Sequence, residues 1–416
     1  MSVDYDVVIA GGGMVGISFA LAIEHLSAGQ LRILVVESFA IPAAHENSAP
    51  VYRPSFDARA TALSYGSRRI FENIGIWPLL ETHTSAIENI HVSERGHFGS
   101  ATLNTGQRAW PALGYVVENA WLGNVLLNVL RRRPAITLLS PAKVVDYIPG
   151  AEHATVIVEN DQQRQSFSTR LLSIADGANS KLRTRLCIGN TTHDYHRQAI
   201  IANVSCARPH CGWAYERFTD WGPMALLPLS DSESGQPRMA LVWTMTGARA
   251  ADLLECADKD FLAALQQRFG QRHGRFIRVG ERGSYDLKLV TADEQVRRQC
   301  VLIGNAAHSL HPVAGQGFNL ALRDILRLAK IIADATVARE TIGELNVLQR
   351  YAAQQAGDQW KTILFSDRIT ALFEQPNPLA GGLRRIGLTM LDLNTDWKNY
   401  FIDHSAGYQP GAALGV

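Results

Sequence analysis

Cysteine is scarce in this chain of 416 residues. Five are present (Cys187, Cys206, Cys211, Cys256 and Cys300), an odd number with no Cys-x-x-Cys pair. That argues against a disulfide framework or a cysteine-based zinc site and favours a reducing compartment. Excess charge is also lacking: 40 Lys and Arg oppose 39 Asp and Glu, for a formal net charge of +1. A global field for nucleic acid is therefore absent, and no nucleic-acid partner is expected. Long apolar runs are missing as well. Val7 to Ile23 is a run of 17 uncharged residues, but it holds four glycines, follows Asp4 and Asp6, and lacks the basic start of a signal peptide. It is also shorter than the ~20 residues of a spanning helix. The expectation is a cytoplasmic protein, at most peripheral on the cytoplasmic membrane face.

What is present is core material. Hydrophobic residues make up 46% and charged residues 19% of the chain, a globular composition long enough for two to three domains. The run Val7 to Ala10 is a buried type of strand. Gly11-Gly-Gly-Met14-Val-Gly16 follows, then a helical stretch to about Leu26, then a second strand from Leu31 to Val36. Residues 41–56 read as irregular loop, with helices predicted over Ala62 to Phe71 and Trp121 to Arg132. Segments at 154–158, 200–204, 224–228 and 239–244 read as strands with polar loops between them. Helical patterns are hard to find between 190 and 245, which predicts a mainly antiparallel sheet inserted into the first unit. Cys300 to Ile303 is another short buried strand, and the pattern is helical from Leu320 onward.

Three segments carry chemistry. In Gly11-x-Gly13-x-x-Gly16, Gly11 permits a tight turn, Gly13 lets backbone approach a pyrophosphate, and Gly16 lets helix and sheet pack closely. With Met14 at the helix start, free N–H groups and the helix dipole favour an anion there. Glu37 ends the next strand, 21 residues after Gly16, where a carboxylate can bind ribose hydroxyls of FAD or NAD rather than NADP. The second segment, Ala175-Asp176-Gly177-Ala178-Asn179-Ser180, taken alone reads as an ordinary Asp-Gly turn. The third runs Gly304-Asn305-Ala306-Ala307-His308 and then Ser-Leu-His311-Pro312-Val-Ala-Gly315-Gln316-Gly317-Phe318-Asn319, between a strand and a helix. A helix start aimed at a flavin stabilises the negative charge of its reduced form. His308 and His311 have metal-like spacing, but no third ligand stands near, so no metal is expected.

In this order and spacing, the three segments resemble the flavoprotein aromatic hydroxylases of the para-hydroxybenzoate hydroxylase type over nearly the whole chain. Further stretches resemble the ubiquinone-biosynthesis branch of that family: Asp57 to Ser64, Gly75-Ile-Trp77, Gly114 to Asn119, Tyr215-Glu-Arg-Phe-Thr219 and Gly222 to Pro228. The resemblance implies an α/β fold, with a Rossmann-like FAD-binding domain, an interleaved, mainly antiparallel substrate domain, and C-terminal helices. The expected boundaries are 1–75, 105–190 and 285–360 for FAD, 76–104 and 191–284 for substrate, and 361–416 for the helical region. It implies FAD contacts from Gly11, Gly13, Met14, Gly16, Glu37, Arg59, Asn119, Asp176, Gly177, Asn305, Gly315, Gln316, Gly317 and Asn319. Two departures stand out: Asn305 occupies a position where the family usually has Asp, and Asn119 one where it often has Arg. Asn305 keeps a carbonyl acceptor without the charge, and Arg59 becomes the better cation beside the flavin.

The same resemblance implies a cycle in which NADH or NADPH, as a transient donor, reduces FAD. O₂ then forms a C4a-hydroperoxide that hydroxylates a polyprenylated phenol. The site must exclude water, or the peroxide decays. The backbone at Pro312 and the side chains of His308 and Tyr215 are the catalytic candidates. Trp243 and Tyr215 are the substrate-pocket candidates, with core packing the alternative for Trp243. The apolar positions Leu379, Leu383, Ile386, Met390 and Leu393 fit either a membrane-surface helix or one packed on the body. Other ubiquinone-biosynthesis proteins are conceivable partners. Two other functions stay open at this point, a dehydrogenase or saturase of isoprenoids and a non-catalytic FAD-bound scaffold.

Overall fold

The structure, a computed structural model, describes residues 3–41, 59–97, 99–108, 110–161, 163–232, 235–310, 315–374, 392 and 394–407. The chain opens with the strand Tyr5–Ala10, whose Val-Val-Ile core can only be satisfied by burial on both faces. The helix Met14–Leu26 returns the chain to the parallel strand Ile33–Val36, forming the expected βαβ unit. Gln163–Ile174 and Ile136–Leu139 extend this sheet in parallel on either side, and Cys300–Leu302 pairs in parallel with Gln163–Ile174. An antiparallel branch, Lys143–Ile148 and Ala154–Asn160, grows from the long Gln163–Ile174 strand.

The helices Met14–Leu26, Asn119–Arg131 and Gln316–Val337 share one core with this sheet, built on Ile9, Ile17, Phe19, Leu126 and Leu328. Gln316–Val337 is tied to Leu345–Glu374 by charge. Arg323 Nε and Arg327 Nη1 donate to Asp358 at 2.8 and 2.9 Å. Burial pushes the Asp358 carboxyl up, but the two guanidinium groups outweigh it and hold its pKa at about 2.

A second sheet is largely antiparallel. Its strand order is His308–Ser309, Phe276–Ala292, Asn190–Cys206, Arg238–Met245, Gly222–Leu229, Trp213–Thr219, Asn89–Glu94 and Ser100–Asn104. The helices Gly247–Glu255 and Asp258–Phe269 cover one face. The second of these starts with Asp258 and Asp260, buries Phe261, Leu265 and Phe269 at four-residue steps, and stops at Gly270 with φ +89°. The other face of the sheet looks towards the parallel sheet across a cavity.

The helix predicted over Ala62 to Phe71 begins later. Ala60–Ser64 is a strand paired with Gly114–Glu118, and the helix is Tyr65–Asn73, capped by Ser64 Oγ, which accepts from the Ser67 N–H. The non-local pairing overrides the helical propensity of Ala-Thr-Ala-Leu. Among the described residues no helix is long and apolar enough to cross a membrane. The residues Leu379, Leu383, Ile386, Met390 and Leu393 lie outside the described ones.

Candidate active site: one cavity between two sheets

A single cavity of about 1410 Å³ runs from the C-terminal edge of the parallel sheet to the open face of the antiparallel one. A single small-molecule site takes roughly 300–1,000 Å³. This space therefore has room for a dinucleotide and a second molecule.

At the first end, Gly11, Gly13, Met14, Glu37, Asp176 and Gly177 line the wall together, although 165 positions separate Gly11 from Asp176. Each motif glycine has a different physical reason. Gly11 adopts φ +113°, and a Cβ there would lie 2.4 Å from the Ala175 carbonyl oxygen. At Gly16 a Cβ would lie 2.0 Å from the Gly11 oxygen, so Gly16 serves close helix–strand packing behind the wall. Gly13 has ordinary extended backbone (φ −71°, ψ −179°), and a Cβ there would meet nothing within 4 Å. Its side faces open cavity, and no side chain caps the helix that follows. The first-turn N–H groups thus meet a space shaped for a phosphate. Glu37 is oriented by its surroundings: Oε2 accepts from Gly12 N at 2.7 Å, and Oε1 accepts from Phe39 N at 2.8 Å. Lys143 and Lys181 also line this end. Neither cation is singled out by sequence: Lys181 directly follows the Ala175–Ser180 segment, and no motif surrounds Lys143.

Between the two ends, Arg59, Asn305, Gly315, Gln316, Gly317 and Asn319 line the cavity. Gly315 is left-handed (φ +61°) and caps Gln316–Val337, so a second helix start faces the cavity. Asn319 is saturated by protein partners. Its Oδ1 accepts from Ser64 N and Ser67 Oγ, and its Nδ2 donates to the Ala62 and Gly315 carbonyls. That places it as a brace between the helix start and the Ala60–Ser64 strand. Asn119 is buried behind the wall and does not line the cavity. Its Oδ1 accepts from Thr61 Oγ1 at 2.6 Å, and it is Thr61 that reaches the cavity.

The far end is apolar, walled by Ile90, Val92, Leu103, Ala225, Leu227 and Val242, with Phe401 and Ile402 of the helix Thr395–Ala406 closing it. Here Trp243 and His308, both expected at the chemistry, stand outside the cavity lining, and Tyr215 borders the cavity but turns its ring away. Trp243 is fully buried on the opposite face of its strand, stacked on Trp221 at 5.4 Å and edge-on to Phe261. Its strand neighbours Val242 and Thr244 line the cavity instead. Tyr215 borders the cavity, but its ring points to the helix-covered face, against Phe269 at 5.3 Å and His273 at 5.7 Å. Strand alternation sends adjacent side chains to opposite faces, so the aromatic partners of these two rings decide their side. His308 is buried outside the cavity lining, its Nε2 bonded to Asp324 Oδ2 at 2.5 Å, with Gln359 Nε2 donating to the same oxygen. This network fastens the His308–Ser309 strand to the helix Gln316–Val337. Pro312 and His311 lie outside the described residues.

The same alternation brings forward a residue the sequence reading passed over. Ala214, Glu216 and Phe218 face the cavity from Trp213–Thr219. Burial pushes the Glu216 carboxyl up to about 7. The signal was present in the sequence as an acid at every-second-residue spacing between Ala and Phe.

Comparison with known proteins agrees with this geometry. Residues 4–363 match the FAD binding domain family, and the chain belongs to it. FAD is its cofactor, and the protein is a FAD-dependent enzyme of the hydroxylase class. The chain is 31% identical over 407 residues to the ubiquinone hydroxylase UbiL of Rhodospirillum rubrum, covering 97% of this chain and 89% of the relative. It is 29% identical over 395 residues to the 3-demethoxyubiquinol 3-hydroxylase of Escherichia coli K12, covering 92% and 93%. Among solved structures, the p-nitrophenol 4-monooxygenase PnpA of Pseudomonas putida DLL-E4 superimposes with a TM-score of 0.78. That match has 16% identity and covers 99% of this chain and 100% of the other, which establishes a shared fold.

Proposed function

We propose that this enzyme hydroxylates the aromatic ring of a polyprenylated phenol in ubiquinone biosynthesis, using FAD, O₂ and NADH or NADPH. The observation that carries the reading is the single cavity with two chemically different ends. The glycine-rich end suits the ADP half of FAD: the Gly11–Gly16 turn takes the pyrophosphate and Glu37 the ribose. Asp176, Gly177, Arg59 and Asn305 lie along the path towards Gly315, Gln316 and Gly317. The apolar end, on strands within 76–104 and 191–284, is the substrate region. Its walls suit a prenyl-bearing ring and exclude water from the reacting centre. Bound FAD supplies the two-electron chemistry that activates O₂, which no side chain of the chain can do. The chain's own task is to hold cofactor and ring in one dry space and to manage the proton of the ring hydroxyl. Relatives named as ubiquinone hydroxylases support the substrate class.

The test is turnover of a short prenylated phenol under ¹⁸O₂ with each nicotinamide donor. The expected result is one ¹⁸O in the ring and donor oxidation accelerated by the phenol. Label arriving from water, or product formed without O₂, would contradict a monooxygenase.

A further inference from the structure

We propose that Glu216 is the catalytic base of this enzyme, accepting the proton of the substrate's ring hydroxyl as the ring is attacked. This rests on the reading of the apolar chamber as the substrate site. Glu216 stands in the middle of the chamber's sheet face. In cross-strand register it lies beside Ala225 and Val92, and Ala225 in turn lies beside Val242. Along its own strand the cavity-facing neighbours are Ala214 and Phe218. A lone carboxyl inside an apolar wall is costly unless something uses it. Among the described residues, no hydrogen bond or ion pair holds Glu216, and it borders the cavity.

The other candidates on the page are elsewhere. Tyr215 and Arg217 of the same strand point behind the sheet, where Arg217 bonds the Arg268 carbonyl and Ser93. His308 is held outside the cavity by Asp324. Of the cavity's charged groups, Glu281, Arg282, Asp286 and Lys288 belong to Phe276–Ala292, four strands away across the sheet. Arg59 stands with the residues between the two ends of the cavity.

The chemistry fits the position. A carboxyl with a pKa of about 7 is better matched to a phenol near 10 than an ordinary Glu, yet it is ionised above neutrality. The ring hydroxyl first donates a hydrogen bond to the carboxylate. As the ring carbon would take an oxygen from the O₂-derived donor that bound FAD would supply, the donor's O–O bond breaks, and its remaining oxygen keeps the electron pair and the negative charge. At the same time the O–H bond of the ring hydroxyl breaks, its electron pair moves into the ring and the proton passes to Glu216. The negative charge thus passes from the Glu216 carboxylate to the oxygen left by O–O cleavage, so the number of charges in the cavity is unchanged. When the ring regains aromaticity, its C–H proton goes to the oxygen left by O–O cleavage, and the Glu216 proton returns to the ring oxygen.

The test uses FAD-loaded, oxidised protein without a nicotinamide donor, so that no turnover occurs. Binding of 2-prenylphenol is compared with binding of its methyl ether, which cannot donate, at pH 8 and pH 5. The wild type should prefer the phenol by about tenfold at pH 8, where the acceptor is charged, and lose most of that preference at pH 5. Glu216→Gln should show a smaller preference that is equal at both pH values, with FAD binding intact. Its hydroxylation rate with donor and O₂ should fall by roughly 100-fold or more. Glu216→Asp, with the carboxylate one methylene further back, should restore the pH dependence in part and provides the comparison if the Gln variant loads FAD poorly. If the preference and its pH dependence are the same in wild type and Glu216→Gln while the wild type hydroxylates the phenol, the role of Glu216 is overturned and the proposed function stands. If the wild type neither binds nor hydroxylates 2-prenylphenol, the substrate assignment falls and the role of Glu216 with it.

Discussion

The two ends of the cavity are built on opposite plans. The glycine-rich end is made largely of backbone: glycine turns, an uncapped helix start, and a glutamate fixed by main-chain N–H groups. The chamber end is made of side chains on a sheet face, apolar except for Glu216 and a few edge groups. Backbone sites depend on local sequence and tolerate little change. A sheet face can exchange one apolar side chain for another and so retune its substrate without touching the cofactor.

The sharpest way to break this comparison is at two glycines of one motif. Gly16→Ala places a Cβ 2.0 Å from the Gly11 oxygen, which should cost the fold about 3 kcal/mol or more and show as a large fall in melting temperature. Gly13→Val meets no protein atom within 4 Å at its Cβ and keeps an allowed backbone. It should fold normally yet fail to retain FAD, read from flavin absorbance after gel filtration. A yellow Gly13→Val protein would show that the open side of Gly13 does not face the cofactor.

At the other end, the smaller expected effect concerns Glu216 and pH. A carboxyl raised from 4.5 to about 7 in the fold holds its proton longer than in the unfolded chain. It imposes no penalty below pH 4.5, and stability falls as pH rises towards 7. FAD-free Glu216→Gln should therefore melt higher than wild type at pH 8, by an equivalent of as much as ~3 kcal/mol, less where water fills the chamber. The two proteins should melt alike at pH 4. An equal difference at both pH values would mean that Glu216 ionises as freely as a surface residue.

The same contrast explains what could be read in the sequence. The βαβ unit, the tight turn at Gly11, the close packing at Gly16 and the position of Glu37 after the second strand follow from short-range spacing, and they stand where the spacing puts them. So do the strands of the inserted sheet. Strand alternation, which sends Glu216 and Val242 to the cavity, puts Trp243 on the far face and turns the Tyr215 ring away although Tyr215 still borders the cavity; residue chemistry weighed without that alternation does not reveal it. The start of the helix at Tyr65 was missed because Ala60–Ser64 is captured by Gly114–Glu118, some fifty positions along the chain. Asn119 acts one step removed, through Thr61. Lys143 reaches the glycine-rich end from an element that no local signal connects to it, whereas Lys181 directly follows the Asp176-Gly177 segment.

The most direct measurement is a crystal structure of the FAD-loaded protein with 2-prenylphenol bound. The account predicts the pyrophosphate at the start of the helix Met14–Leu26 and the flavin ring beside Gly315. It also predicts the phenol in the apolar chamber, with its hydroxyl oxygen within hydrogen-bond distance of Glu216. A phenol seated outside the chamber, or a flavin ring lying away from Gly315, would contradict it.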